Sequence, residues 1–265
     1  MRATLPLGVL LAAGATFGLG QAPSASAQAE PEAKFIQVQY MKVVEGKGDD
    51  YNKLEQMWKP LHQDRVDKGQ IESWSLYFVS MPPPSTTREY DAATVTVIGP
   101  FAKLETPFDE AQIARIGTFP NANEIRKSVR GEVWRLYRTA GPQLFASKFA
   151  NVLFHKARPG QLADYLRAQT QHYLPINQEL VKSGVRSSWH SLGILYPGGS
   201  GRDYDWVTWD GFEKFDAVAG DTTAGIDPQR VAAAGNAVSA HRDTVRAEYW
   251  RLADRTGAKS SGSGR

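Results

Sequence analysis

The chain contains no cysteine in 265 residues, which excludes structural disulfides and thiolate metal sites together. The fold must therefore stand on apolar burial alone. Basic runs are also missing: 31 Lys and Arg face 28 Asp and Glu, no five basic residues are consecutive, and the formal charge is only +3. Nucleic acid is thereby excluded as an expected partner. No G-x-S-x-G, P-loop or Rossmann glycine pattern occurs, and the five histidines show neither H-x-x-x-H nor H-E-x-x-H spacing. The GGSGR run at 198–202 joins two expected strands and opens no helix, so it is no phosphate cradle. No metal site and no cofactor are predicted from these patterns.

Long hydrophobic runs are scarce too. MRATLPLGVLLAAGATFGLGQAPSASA has one early arginine, an apolar core from Leu5 to Leu19, and a small-residue finish at Ala25-Ser26-Ala27. Its apolar core is short for a membrane span and ends in an A-x-A cleavage pattern. Residues 1–27 read as a signal peptide, which predicts a periplasmic or secreted protein. With no cysteine behind the cleavage point, no lipid attachment and no stable membrane anchor are expected. Removing Arg2 lowers the formal charge from +3 to about +2, a balance that steers no highly charged partner. Residues 28–34 read as a flexible linker, and RTGAKSSGSGR at 255–265 reads as a disordered tail.

What the sequence does have is self-similarity. Val38, Lys42, Gly46, Asp50 and Tyr51 fall on Val152, Lys156, Gly160, Asp164 and Tyr165. After one inserted residue, Pro60, Val66, Gly69, Ser73 and Trp74 fall on Pro175, Val181, Gly184, Ser188 and Trp189. Tyr90-Asp91, Thr94 and Phe101 meet Tyr204-Asp205, Thr208 and Phe215, and Glu132-x-Trp134-Arg135-Leu136 meets Glu248-x-Trp250-Arg251-Leu252. Identities in the same order along the whole unit indicate two repeats, 35–140 and 146–254.

Each repeat reads the same way. FIQVQYMKV alternates as a strand, and EGKGDD turns into a helix start with acidic residues suited to its N-terminus. Tyr51, Leu54, Trp58, Leu61 and Arg65 recur at helical spacing until Gly69. SWSLYFVS and YDAATVTVI follow as strands, then a less regular helical region, then the strand GEVWRLYR. The order β-α-β-β-α-β is the ferredoxin-like unit, whose sheet covers one face with helices and leaves the other in need of a partner. Two joined units supply each other's partner, sheet against sheet.

On the stretch YMKVVEGKGDDYNKLEQMWKPLHQDRVDKGQIESW and its echo at 154–189, the chain resembles the dimeric α+β barrel superfamily in a tandem, single-chain form. The resemblance spans nearly all of residues 35–252. It implies an α+β fold of two tandem ferredoxin-like units forming an intramolecular pseudo-dimeric barrel. It also implies a mostly apolar ligand cavity, either between a sheet and its helices or within the barrel. The superfamily includes cofactor-free monooxygenases, small-molecule isomerases and cyclases, and haem enzymes of the chlorite-dismutase type, so fold restricts function little.

Positions shared by both repeats, such as Trp74/Trp189 and Trp134/Trp250, are explained by core packing. Tyr90-Asp91 and Tyr204-Asp205 open the third strand and fix its hairpin. The unshared polar residues carry the functional expectation. Four histidines, His155, His172, His190 and His241, lie in the second repeat, and only His62 in the first. Histidine is the side chain best suited to general-base chemistry at neutral pH. Whether the ligand is turned over or only bound stays open; for turnover, His155 or His190 is expected as the base, with Asp205 and Arg251 as polar partners. His172, Tyr204, Trp206 and Trp209 are expected to wall a pocket for a small organic or aromatic compound. The first repeat then mainly completes the barrel. Haem held by helix-borne His172, with Arg251 or Trp206 nearby, is an alternative. A structural or interaction protein with incidental histidines is another. Association of two barrels into a homo-oligomer stays open.

Overall fold

The computed structural model describes residues 33–82, 88–199 and 201–257. The expected signal peptide at 1–27 lies outside the described residues, as do 28–32 of the linker and 258–265 of the tail. The first half runs β1 (Phe35–Val43), α1 (Gly48–Asp67), β2 (Ser73–Met81), β3 (Ala92–Gly99), α2 (Glu110–Ile116) and β4 (Arg126–Ala140). The second runs β5 (Phe149–Ala157), α3 (Leu162–Ala168), a π-turn (Gln169–Tyr173), α4 (Leu174–Lys182), β6 (Ser188–Tyr196), β7 (Trp206–Phe212), α5 (Phe215–Ala219), α6 (Pro228–Ser239) and β8 (Arg242–Arg255). Every strand pair is antiparallel, and each half has the ferredoxin-like order 4-1-3-2.

The halves join edge to edge. β2 pairs with β8 and β4 with β6, which closes a single eight-stranded barrel in the order β1-β3-β2-β8-β5-β7-β6-β4. The uncovered faces therefore curl around one lumen and do not stack as two flat sheets. Closure removes all four free edges that two separate sheets would expose. It also explains why β4 and β8 are 15 and 14 residues long, well beyond GEVWRLYR. Each must hydrogen-bond its own sheet along one stretch and the opposite half along another. The last turn of the chain takes part: Thr256 N–H donates to Trp74 O at 2.8 Å, and Trp74 N–H donates to Thr256 Oγ1 at 2.9 Å. The ordered chain thus continues past residue 254, where the sequence suggested a tail.

The helices form as the patterns dictate. α1 carries Asp49 and Asp50 in its first turn and buries Tyr51, Leu54, Leu61 and Val66 against the sheet. It ends where Gly69 adopts φ +67°, a left-handed position that glycine takes without strain. The corresponding helix of the second half is broken by the π-turn at Gln169–Tyr173. This is where the sequence comparison needs its one inserted residue, and a single insertion in a helix is absorbed as a π-bulge.

The lumen is filled. Along each strand alternate side chains point inward, and Val38, Val95, Trp134, Val152, Leu192, Val207, Trp209 and Trp250 form one buried cluster. The connection between the halves inserts Phe145 into this cluster, fully buried and edge-on to Trp209 at 5.0 Å. Phe145 and its neighbours thereby fill the lumen, and among the described residues two cavities lie between the sheet and the helices.

Candidate functional site

The expected site residues are spread over three layers. His155, Trp206 and Thr208 lie on the helix-covered face, because they alternate with the lumen residues Phe154, Val207 and Trp209. His190 shares its parity with Leu192 and faces the lumen, where its ring sits 5.1 Å from Phe145. His155 and His190 are on opposite faces of one sheet and do not converge. Asp205 fixes the β6–β7 hairpin: its N–H donates to His155 O at 2.9 Å and its carboxylate meets Lys156 Nζ at 3.2 Å. Asp91 repeats this role in the first half with Met41 O and Lys42. Arg251 is exposed on β8, and His172 is exposed on the π-turn.

Both buried histidines are fully engaged. Arg242 donates to His155 Nδ1, so that nitrogen is the acceptor and Nε2–H donates to Thr208 Oγ1 at 2.8 Å. Burial, with Arg242 beside it, holds the His155 imidazole well below its ordinary pKa. His190 Nε2 lies 3.5 Å from the Phe145 N–H, which leaves Nδ1–H for Thr139 Oγ1 at 2.9 Å. Burial pushes His190 down to about 3. Neither ring has a free lone pair for a substrate proton, and both are neutral at physiological pH.

One lumen mouth holds a polar network that spans both halves. Glu132 accepts from Tyr40 OH at 3.0 Å, Trp134 Nε1 at 2.8 Å and Tyr204 OH at 2.5 Å. Glu248 accepts from Trp250 Nε1 and Tyr90 OH, both at 2.7 Å. Arg130 and Arg246 sit 3.1 Å from these carboxylates, and Glu89 bridges the two guanidiniums at 3.2 and 3.6 Å. Tyr204, expected at a ligand, is instead a strut between halves. Each buried carboxylate is matched by one guanidinium, and the third carboxylate, Glu89, is half-exposed, which is what burying such charges requires.

The second half keeps a cavity of about 190 Å³ between the sheet and the helices. Leu153, Ile176, Leu180, Trp189 and Val231 supply apolar walls, and Arg186, Asp210 and Arg242 supply charge. Arg186 donates to Asp210 Oδ1 at 2.9 Å and to Asn177. Burial raises the Asp210 carboxyl, against the pull of Arg186 and Arg242. The Nε–H groups of both arginines are buried without a hydrogen-bond partner. The sequence pattern explains Trp189 as a core anchor, and it singles out neither arginine; His172, Tyr204, Trp206 and Trp209 do not line this cavity. Arg186 lies just before β6 and Arg242 at the start of β8, where no local pattern marks them.

A haem does not fit this second-half cavity. The cavity is little larger than the roughly 150 Å³ that admits one benzene ring, and His172 is exposed and lines none of it. Among the described residues no group of three or more His, Asp or Glu side chains could hold a metal ion. Protein purified with haem supplied is expected to show no Soret band; a band lost in His172→Ala would overturn this reading. No helix among the described residues is long and apolar enough to cross a membrane.

Solved structures share this architecture at low identity. A candidate monooxygenase from Fusobacterium nucleatum aligns with a TM-score of 0.61 and 7% identity, covering 85% of this chain and 95% of its own. An anthrone oxidase-like protein gives 0.54 and 13%, covering 87% and 95%. A haem-binding protein from Thermus thermophilus gives 0.50 and 8%, covering 84% and 92%. No protein-family model matches the sequence, and no curated protein matches it. Such likeness establishes the architecture and leaves the chemistry to the site.

Proposed function

We propose, for a chain that folds as a single-chain dimeric α+β barrel, that it is an exported protein binding a single-ring organic acid in the sheet–helix cavity of its second half. One observation carries the reading: two buried arginines with unpartnered Nε–H groups line a cavity that is otherwise mostly apolar. A ring fills the apolar part, and a carboxylate or phenolate oxygen satisfies the arginines through charge-assisted hydrogen bonds. The volume, about 190 Å³, matches one ring with a small substituent. The buried histidines are spoken for, so binding needs no base from them. Turnover in this cavity would run through Asp210, whose carboxyl burial has raised.

Benzoate is a suitable probe, and the indole N–H resonance of Trp189 reports from the cavity wall. Saturable movement of that resonance is expected. Arg186→Met should weaken binding about tenfold, while Arg126→Met in the other half should leave it unchanged. A Trp189 signal that benzoate does not move, or an Arg186→Met protein that binds equally well, would end the proposal.

A further inference from the structure

The first half has a cavity in the equivalent place, and its polar groups are in a different state. It measures about 270 Å³ and lies between α1, the outer face of β1–β4, and the segment through Leu104, Thr106 and Phe108. Glu55, Trp58, His62, Arg65 and Arg126 line it. Glu55 Oε1, Trp58 Nε1, His62 Nδ1, Arg65 Nε and Arg126 Nε are all buried without a hydrogen-bond partner. Leaving even one buried polar group unpaired is costly. Glu55 Oε1 and Arg126 Nε have only the 3.4 Å ion pair between them, and with the other three around one space they call for something in that space.

The second half shows how the same position looks when it is closed. Gln169 stands where Glu55 does, and it is tied to the Tyr165 hydroxyl and to Ser191, which in turn accepts from Trp206 Nε1 at 2.7 Å. Arg242 stands where Arg126 does and donates to His155 and to Thr244. In the first half Tyr51 still stands beside Glu55, and the other partners are gone. Met41 and His155 occupy the same register position, opposite Ala92 and Trp206, and Leu76 takes the place of Ser191. Arg126 is left with the Met41 sulfur and an Oε1 of Glu55 at 3.4 Å. The substitutions remove the Ser191 and His155 counterparts and leave the Glu55 carboxyl and the Arg126 guanidinium facing each other in a long ion pair.

We propose that this first-half cavity is a second, separate binding site, for a hydroxylated aromatic acid. Two guanidiniums and the Trp58 N–H outnumber the single carboxylate of Glu55, so the site favours an anionic oxygen. Glu55 and His62 Nδ1 accept, which suits hydroxyl groups elsewhere on the same ligand. The walls suit a ring: His62 stacks on Trp74 at 5.0 Å and on Trp58 at 5.8 Å, and Phe108 lies under Arg65 at 4.7 Å. Burial pushes Glu55 up to about 7, so its carboxyl can accept or donate near neutrality. The roles then divide: Arg126 and Arg65 anchor the carboxylate, Glu55 reads the ring hydroxyl, and the aromatic stack positions the ring.

The test uses 3,4-dihydroxybenzoate and benzoate as probes, read from the Trp58 indole N–H among the seven tryptophans. Expected are a saturable shift of that resonance, about tenfold preference for the dihydroxy acid, and loss of that preference in Glu55→Leu. Arg126→Met should weaken both acids about tenfold, and Arg242→Met should not. A Trp58 signal that neither acid moves through the millimolar range marks a cavity holding only water and overturns the proposal. So does a preference that survives Glu55→Leu, or equal weakening by Arg126→Met and Arg242→Met. Should Arg126→Met fail to fold, Glu55→Leu, which removes a buried carboxyl held only by a long ion pair, decides alone. Trp189 reports the other cavity, so failure here and failure there are told apart.

Discussion

Glu132→Ala is expected to cost about 3–5 kcal/mol of folding stability at neutral pH, and Glu248→Ala about 1 kcal/mol less. Glu132 is 5% exposed and is the acceptor for Tyr40, Trp134 and Tyr204, with Arg130 beside it. Removing it leaves three buried donors without an acceptor and Arg130 with only the half-exposed Glu89. Glu248 is the same device with one donor fewer, because Phe154 stands where Tyr40 does in the first half. The Tyr204–Glu132 and Tyr90–Glu248 bonds each tie one half to the other, so the loss falls on barrel closure as well as on either sheet. Urea unfolding followed by tryptophan fluorescence and by circular dichroism measures both variants. A loss below about 1 kcal/mol for Glu132→Ala, or a larger loss for Glu248→Ala, would show that the network does not clamp the halves.

Acid is expected to unfold the protein in a window that three histidines set. Burial lowers His62 and His190 from 6.5 to about 3, and burial with Arg242 nearby holds His155 well below 6.5. All three are neutral in the folded chain, while the unfolded chain protonates them below about 6.5. The stability they provide is complete above that pH and is lost as pH falls toward 3, by about 1.4 kcal/mol per pH unit for each histidine. Glu55 opposes them. Its carboxyl is raised from 4.5 to about 7, so the folded chain keeps a proton that the unfolded chain releases between those values. Asp210 acts in the same direction. Near pH 5.5, three protons gained by histidines less one from Glu55 leave a net uptake on unfolding of about two. Stability measured against pH should have that slope. His190→Asn should lower it to about one, and Glu55→Gln should raise it to about three. A flat profile between pH 7 and 5 would mean that these groups are hydrated in the folded protein.

The burial of Trp189 was legible, because a tryptophan at a strand start opposite an amphipathic helix buries its ring there; that a cavity lies beside it was not. The hairpin role of Asp91 and Asp205 was legible for a similar reason: an acidic residue opening a strand after a turn finds backbone and lysine partners locally. The faces of His155 and His190 were not weighed against each other. Strand parity alone separates them, once β5 and β6 are known to share one sheet. Glu55, Arg126, Arg186 and Arg242 could not be singled out. Charged residues on helices and at strand ends are ordinarily solvated, and nothing local distinguishes these.

Alternation, helical spacing and a repeated order of elements were enough to give two ferredoxin-like halves and their joining, because those signals depend on neighbours along the chain. Which polar groups find partners was decided only by the tertiary structure. Arg126 and Arg242 have near-identical local sequence, and one meets a methionine where the other meets a histidine, on a strand more than eighty residues away. Hydrogen-bond satisfaction is a property of atoms brought together by folding, and no periodicity encodes it.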